Sequence, residues 1–131
     1  MPVIVVLEDD PPARDALAET LRRLFPRARV VAVPTDAGPE AIEREGASVV
    51  LAALPAAERL CRRGVSPAVR VVALTRAMGP DTLMRAEALG VFAALRAPAS
   101  AERLQTVLGP MLAEASGARE GGWNSEGASR S

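Results

Sequence analysis

No histidine, lysine or tyrosine occurs in the 131 residues, and all 16 basic residues are arginine. Without histidine the chain lacks the commonest general base and metal ligand, and it cannot build a Ser-His-Asp or Cys-His arrangement. Without lysine it has no Schiff-base chemistry, no phosphate-loop lysine and no lysine clamp on a phosphoryl group. Cys61 is the single cysteine, which excludes an intramolecular disulfide. Next to Leu60 in a helical pattern, it reads as a small, partly buried hydrophobe. Aromatic residues make up only 2% of the chain, so the core has to be built from Val, Leu and Ala. Sixteen acidic residues balance the arginines to a formal net charge of zero. That balance disfavours general binding to nucleic acid or to anionic membranes, both of which want a net basic field. No apolar run approaches the length of a membrane span and the N-terminus lacks a signal-peptide pattern, so the cytoplasm is the expected location.

What is present starts with Val3–Asp10. Five apolar residues run straight into three carboxylates, Glu8, Asp9 and Asp10. A continuous apolar run of this length suits a strand buried on both faces, with the acids just past its carboxyl end, where open α/β sheets place their sites. Asp10-Pro11 reads as a helix cap and a first-turn proline. Leu17, Leu21, Leu24 and Phe25 then recur on one helix face until Pro26 stops it. A short strand is expected at Val30–Val33, and a short helix from Gly38 through Glu45, ended by Gly46. Val49–Leu54 is the third expected strand. Pro55 begins a helix with Leu60 and Cys61 inside, ending at Gly64. Val69–Leu74 is the fourth strand, and Gly79-Pro80-Asp81 starts a helix with Leu83, Met84, Ala88 and Leu89 facing inward. Val91–Leu95 follows as strand five. Ser100 caps a last helix carrying Leu104, Val107, Leu108 and Met111, which Pro110 should kink or end. The domain is expected to span 1–114. Residues 115–131, mostly Gly, Ser, Ala, Glu and Arg with the lone Trp123, read as a disordered tail or linker. Five strands alternating with five helices predict a doubly wound five-stranded parallel α/β sheet with helices on both faces.

Three segments together resemble the receiver domain of bacterial response regulators, over about residues 3–114. Val6-Leu7-Glu8-Asp9-Asp10-Pro11, followed by Arg14 and Leu17, is similar to the family's first strand, acidic pair and first helix. Leu74-Thr75-Arg76-Ala77 is similar to the end of its fourth strand, and Gly90 through Pro98 to its fifth strand with the terminal Lys-Pro pair. The resemblance implies a flavodoxin-like sheet of strand order 2-1-3-4-5. In that family an aspartate ending strand three accepts a phosphoryl group, the acidic pair holds Mg²⁺, and the threonine and lysine contact the phosphoryl oxygens.

Here the acceptor position is Ala53, the lysine position Ala97 and the aromatic switch position Ala94. The stretch from Ala53 to Thr75 also looks several residues short. The resemblance is therefore to a degenerate receiver. Glu8, Asp9, Asp10 and Thr75 are the remains of its pocket, either holding Mg²⁺ weakly at Glu8 and Asp9 or simply capping helix one and bonding loop backbone. The expected function is a phosphorylation-independent, non-enzymatic protein-interaction module in bacterial signalling, without cofactor. It would dock a protein partner or itself through helix four, strand five and helix five. Met78, Leu83, Arg85, Ala94, Arg96, Arg103 and Gln105 are the docking candidates by position. Two alternatives stand beside it. One is a Mg²⁺-dependent phosphoryl acceptor using a non-standard acid such as Glu58. The other is a nucleic-acid-associated regulator using the clusters Arg59, Arg62, Arg63 and Arg22, Arg23, Arg27, Arg29. Nucleic acid is not the expected partner of this domain alone, given its neutral balance.

Overall fold

A computed structural model describes residues 1–121, with side chains described through residue 115. Five parallel strands form one sheet in the order β2-β1-β3-β4-β5. They are β1 (Val3–Leu7), β2 (Arg29–Val33), β3 (Val49–Ala53), β4 (Arg70–Thr75) and β5 (Ala93–Arg96). The helices are α1 (Pro11–Leu24), α2 (Gly38–Glu45), α3 (Leu54–Arg63), α4 (Pro80–Leu89) and α5 (Ala101–Gly121), with a 3-10 turn at Thr35–Ala37 before α2. This is the doubly wound sheet that the alternating apolar runs predict.

β1 is buried along its whole length, because its two faces serve two cores. Val3, Val5 and Leu7 join Val50, Val71, Ile42 and Leu60 on one side. Ile4 and Val6 join Leu21, Leu51, Leu104 and Leu108 on the other. The sheet is thus covered by α2, α3 and α4 on one face and by α1 and α5 on the other. The chain winds outward from β1 in both directions, so the carboxyl ends of β1 and β3 form the switch point of the sheet, where this architecture puts its crevice. Among the described residues no helix is long and apolar enough to cross a membrane.

Local chemistry explains most element ends. Asp10 caps α1 by accepting from the Ala13 N–H at 3.2 Å, with prolines in the first turn. Gly46 closes α2 in the left-handed region at φ 65°, which a residue with a Cβ enters at a cost. Gly38 is needed for a different reason. A Cβ there would lie 2.7 Å from a Leu7 methyl that is itself buried.

Four expectations are corrected. α5 does not end at Pro110 but runs on to Gly121. Residues 122–131, including Trp123, lie outside the described residues. Pro110 and Thr106 are both exposed, so the carbonyl that loses its donor at this proline can bond water. Leu108, Met111 and Leu112 on either side of Pro110 hold the helix on the sheet. On α4, Met84 and Ala88 face solvent, and Ala86 is the buried residue. Val91 precedes β5 instead of starting it, because its N–H closes the end of α4 on the Ala86 carbonyl at 3.0 Å. Leu54 opens α3 and does not close β3.

Candidate functional site

The crevice is made by the residues that follow β1, β3 and β4. β1 ends at Leu7, beside Ala52 of β3, and Ala53 pairs in register with Leu74. Glu8 and Ala53 therefore stand side by side, one residue beyond that pair, and Thr75 ends the next strand.

Each acid there already holds a backbone donor. A Glu8 carboxylate oxygen accepts from the Asp10 N–H at 3.0 Å, and its carbonyl accepts from the Arg14 guanidinium at 3.0 Å. Asp9 reaches across to β2's side and accepts from the Thr35 N–H at 2.7 Å. Asp10 is the cap of α1. Thr75 lies within hydrogen-bond distance of both the N–H and the carbonyl of Ala77, at 3.0 and 3.2 Å, a tight hydroxyl turn. The four expected pocket residues thus share one end of the sheet but are spoken for individually. Among the described residues, no three Asp, Glu, His or Cys side chains gather where one ion could be held. Glu8 and Asp9 each give a carboxylate oxygen to a backbone N–H, and Ala53 beside them adds no third carboxylate.

Ala53, the residue that the receiver resemblance sets at the acceptor position, ends β3 with an exposed methyl group. It is also the N-cap of α3, which begins at the next residue with no intervening loop and no side-chain cap. At the far side, the Ala97 N–H bonds the Thr75 carbonyl at 2.9 Å, and the Ala97–Pro98 peptide is cis. Arg96, which ends β5, turns to the Arg76 carbonyl at 3.3 Å.

Glu58 is buried on α3, and its carboxylate pairs with Arg85 of α4 at 3.1 Å. Among the proposed docking residues, Arg103 and Gln105 are exposed, Met78 and Leu83 are half-buried, and Ala94 packs against the core. Burial pushes the half-buried Cys61 thiol up from its ordinary range, so it keeps its proton at neutral pH. Two residues that the sequence reading did not connect with the site serve it: Thr35, which holds Asp9, and Arg14, which holds the Glu8 carbonyl. Arg14 stands six residues after Glu8, but no local pattern marks Thr35, 26 residues from Asp9.

The sheet order, the acidic end of β1 and the hydroxyl end of β4 are those of the receiver domain of response regulators. This chain has that fold. It is similar to the signal receiver domain of a DNA-binding response regulator from Colwellia psychrerythraea, with 25% identity, TM-score 0.70, and 86% of this chain and 99% of that one covered. It is also similar to a protein ascribed to pilus assembly in Burkholderia thailandensis, with 20% identity, TM-score 0.72, and 86% and 99% covered. A third neighbour is the N-terminal receiver domain of RstA from Klebsiella pneumoniae, with 22% identity, TM-score 0.68, and 84% and 97% covered. No family model matches the chain. No curated protein matches it either.

Proposed function

We propose that this chain is a protein-docking module of bacterial signal transduction that keeps the receiver fold and works without accepting a phosphoryl group. The observation that carries the reading is the methyl group of Ala53 where an acceptor carboxylate is required. A methyl has no lone pair to attack phosphorus, so no acyl phosphate forms there. Two further features support it. Ala97 leaves the site without a lysine, and Glu8, Asp9 and Asp10 each hold a backbone N–H. Glu58, the alternative acid, is tied to Arg85 on the α3–α4 side.

Docking falls to the surface of α4, β5 and α5. Arg96 and Arg103 supply exposed charge there, and Leu83 and Met78 supply half-buried apolar area. Arg85 contributes through its ion pair, which ties α4 to α3. With Ala94 in place of an aromatic ring there is no side chain to swing, and the surface keeps one arrangement.

Incubating the full chain with acetyl phosphate and Mg²⁺ tests the reading. The expected outcome is an unchanged intact mass, with no amide shifts at Glu8, Asp9 and Thr75 on adding beryllofluoride. A stoichiometric phosphoryl adduct would overturn it. Replacing Arg96 and Arg103 by Glu is expected to abolish capture of the native partner, and unchanged capture would remove the docking face.

A further inference from the structure

α2 packs on β1 and β2, and α3 packs on β3, β4 and α4. Between the two helices, at the carboxyl end of β1, lies a hollow of about 740 Å³. Small-ligand sites fall in the range of roughly 300–1,000 Å³. The hollow also adjoins the switch point of the sheet, where open α/β sheets take their ligands. Leu7, Pro39, Ala56 and Leu60 make its apolar floor. Its openness has a local cause. β3 passes into α3 without a loop, so no segment after Ala53 folds over it, and Ala56 in the first turn of α3 presents only a methyl group.

Charge of both signs lines the mouth. Arg59 and Arg63, one helical turn apart, stand on the α3 side. Asp9, just past β1, and Asp36, in the turn after β2, stand on the other. All four residues are exposed, and among the described residues none of them makes an ion pair. Asp9 gives one carboxylate oxygen to the Thr35 N–H, which leaves the other for a ligand. Two guanidinium groups at this spacing can grip one carboxylate from two sides. Neither sign of charge is answered within the hollow.

We propose that this hollow binds a small zwitterion with an apolar body, of the class of a short peptide with free ends. Its carboxylate meets Arg59 and Arg63. Its ammonium meets Asp36 and the second oxygen of Asp9. Its side chains lie on Leu7, Pro39 and Leu60. Three features select this class. A simple anion finds the arginines but is repelled by the two aspartates, and a simple cation meets the reverse. A free amino acid carries both charges on one carbon, too close together to reach both sides, whereas a dipeptide sets them about 6 Å apart. A molecule of this size enters the hollow and covers its floor, so apolar burial adds to the charge contacts. The site shares no residue with the α4–β5–α5 surface, and binding here is independent of the reading given above.

Amide NMR on the full chain, titrated with the dipeptide Leu-Leu, tests this. Saturable shifts are expected at Leu7, Thr35, Ala56 and Leu60, with a dissociation constant of roughly 1 mM or tighter. N-acetyl-Leu-Leu lacks the ammonium, Leu-Leu amide lacks the carboxylate, and Gly-Gly lacks the side chains. Each is expected to bind about five-fold more weakly or worse. R59E/R63E is expected to lose Leu-Leu but to hold Leu-Leu amide at least as well as the wild type does, which also shows that its hollow is intact. An absence of saturable shifts overturns the proposal. So do shifts that map outside the hollow, equal binding of the acetylated or amidated dipeptide or of Gly-Gly, and Leu-Leu binding that survives in R59E/R63E. A variant that loses both dipeptides while keeping the wild-type amide spectrum overturns it as well.

Discussion

At position 53 one methyl group stands both at the end of β3 and at the start of α3. Its place at the end of a buried apolar strand was legible from the sequence. Its second role was not, because that depends on the strand passing into the helix without a loop. Ala53 has the extended backbone of a cap, with φ −60° and ψ 150°, but no oxygen to offer. Pro55 has no N–H, so the open donor within a cap's reach is that of Ala56. Ala53→Ser is therefore expected to stabilise the fold by about 0.5–1 kcal/mol in urea denaturation. An unchanged midpoint would show that the Ala56 N–H is satisfied otherwise. The acids past β1 show the same limit of sequence reading. Their position could be foreseen from the apolar run before them, and Asp10 as a cap from the proline after it. Asp9 bonding Thr35 could not, because only the β1–β2 pairing brings those residues together.

Among the elements, the buried strands β1, β3 and β4 were the most legible, since two covered faces demand an unbroken β-branched and aliphatic run. β2 begins at Arg29, one residue before the apolar signal. That residue pairs with Val3 while its side chain leaves the sheet to meet Glu45. The inward face of α4 was misread because Leu83, Met84, Ala88 and Leu89 suggest a broad apolar stripe, whereas the helix rests on the small Ala86. α5 outlasts its proline because packing on both sides of Pro110 outweighs one lost hydrogen bond. The α3–α4 contact was invisible in sequence, its partners lying 27 residues apart. Removing Arg85 alone strands a buried carboxylate, whereas removing both charges does not. Arg85→Ala is expected to cost about 1–2 kcal/mol in thermal or urea unfolding, reduced by the exposure of the guanidinium. The double variant Glu58→Met with Arg85→Ala is expected to recover most of that loss. Equal losses in the two would show that the ion pair itself, and not the burial of Glu58, holds α4.

For the whole molecule, two cores share one sheet, and each depends on a few aliphatic side chains. Leu51 and Leu104 are fully buried in the core under α1 and α5. Leu51→Ala and Leu104→Ala are each expected to cost about 2–5 kcal/mol, a large part of the 5–15 kcal/mol typical of a domain. A loss under about 1 kcal/mol in either would mean that the site collapses around the gap. The aliphatic make-up of this interior also bears on how its melting can be followed. Among the described residues Phe25 is the one buried ring, and no indole or phenol lies in the described core to change colour or brightness as the sheet comes apart. Among the described residues the interior therefore offers only a phenylalanine as an intrinsic emitter. The melting of that interior is read from the amide backbone by circular dichroism, from heat uptake, or from a tryptophan placed deliberately at Phe25.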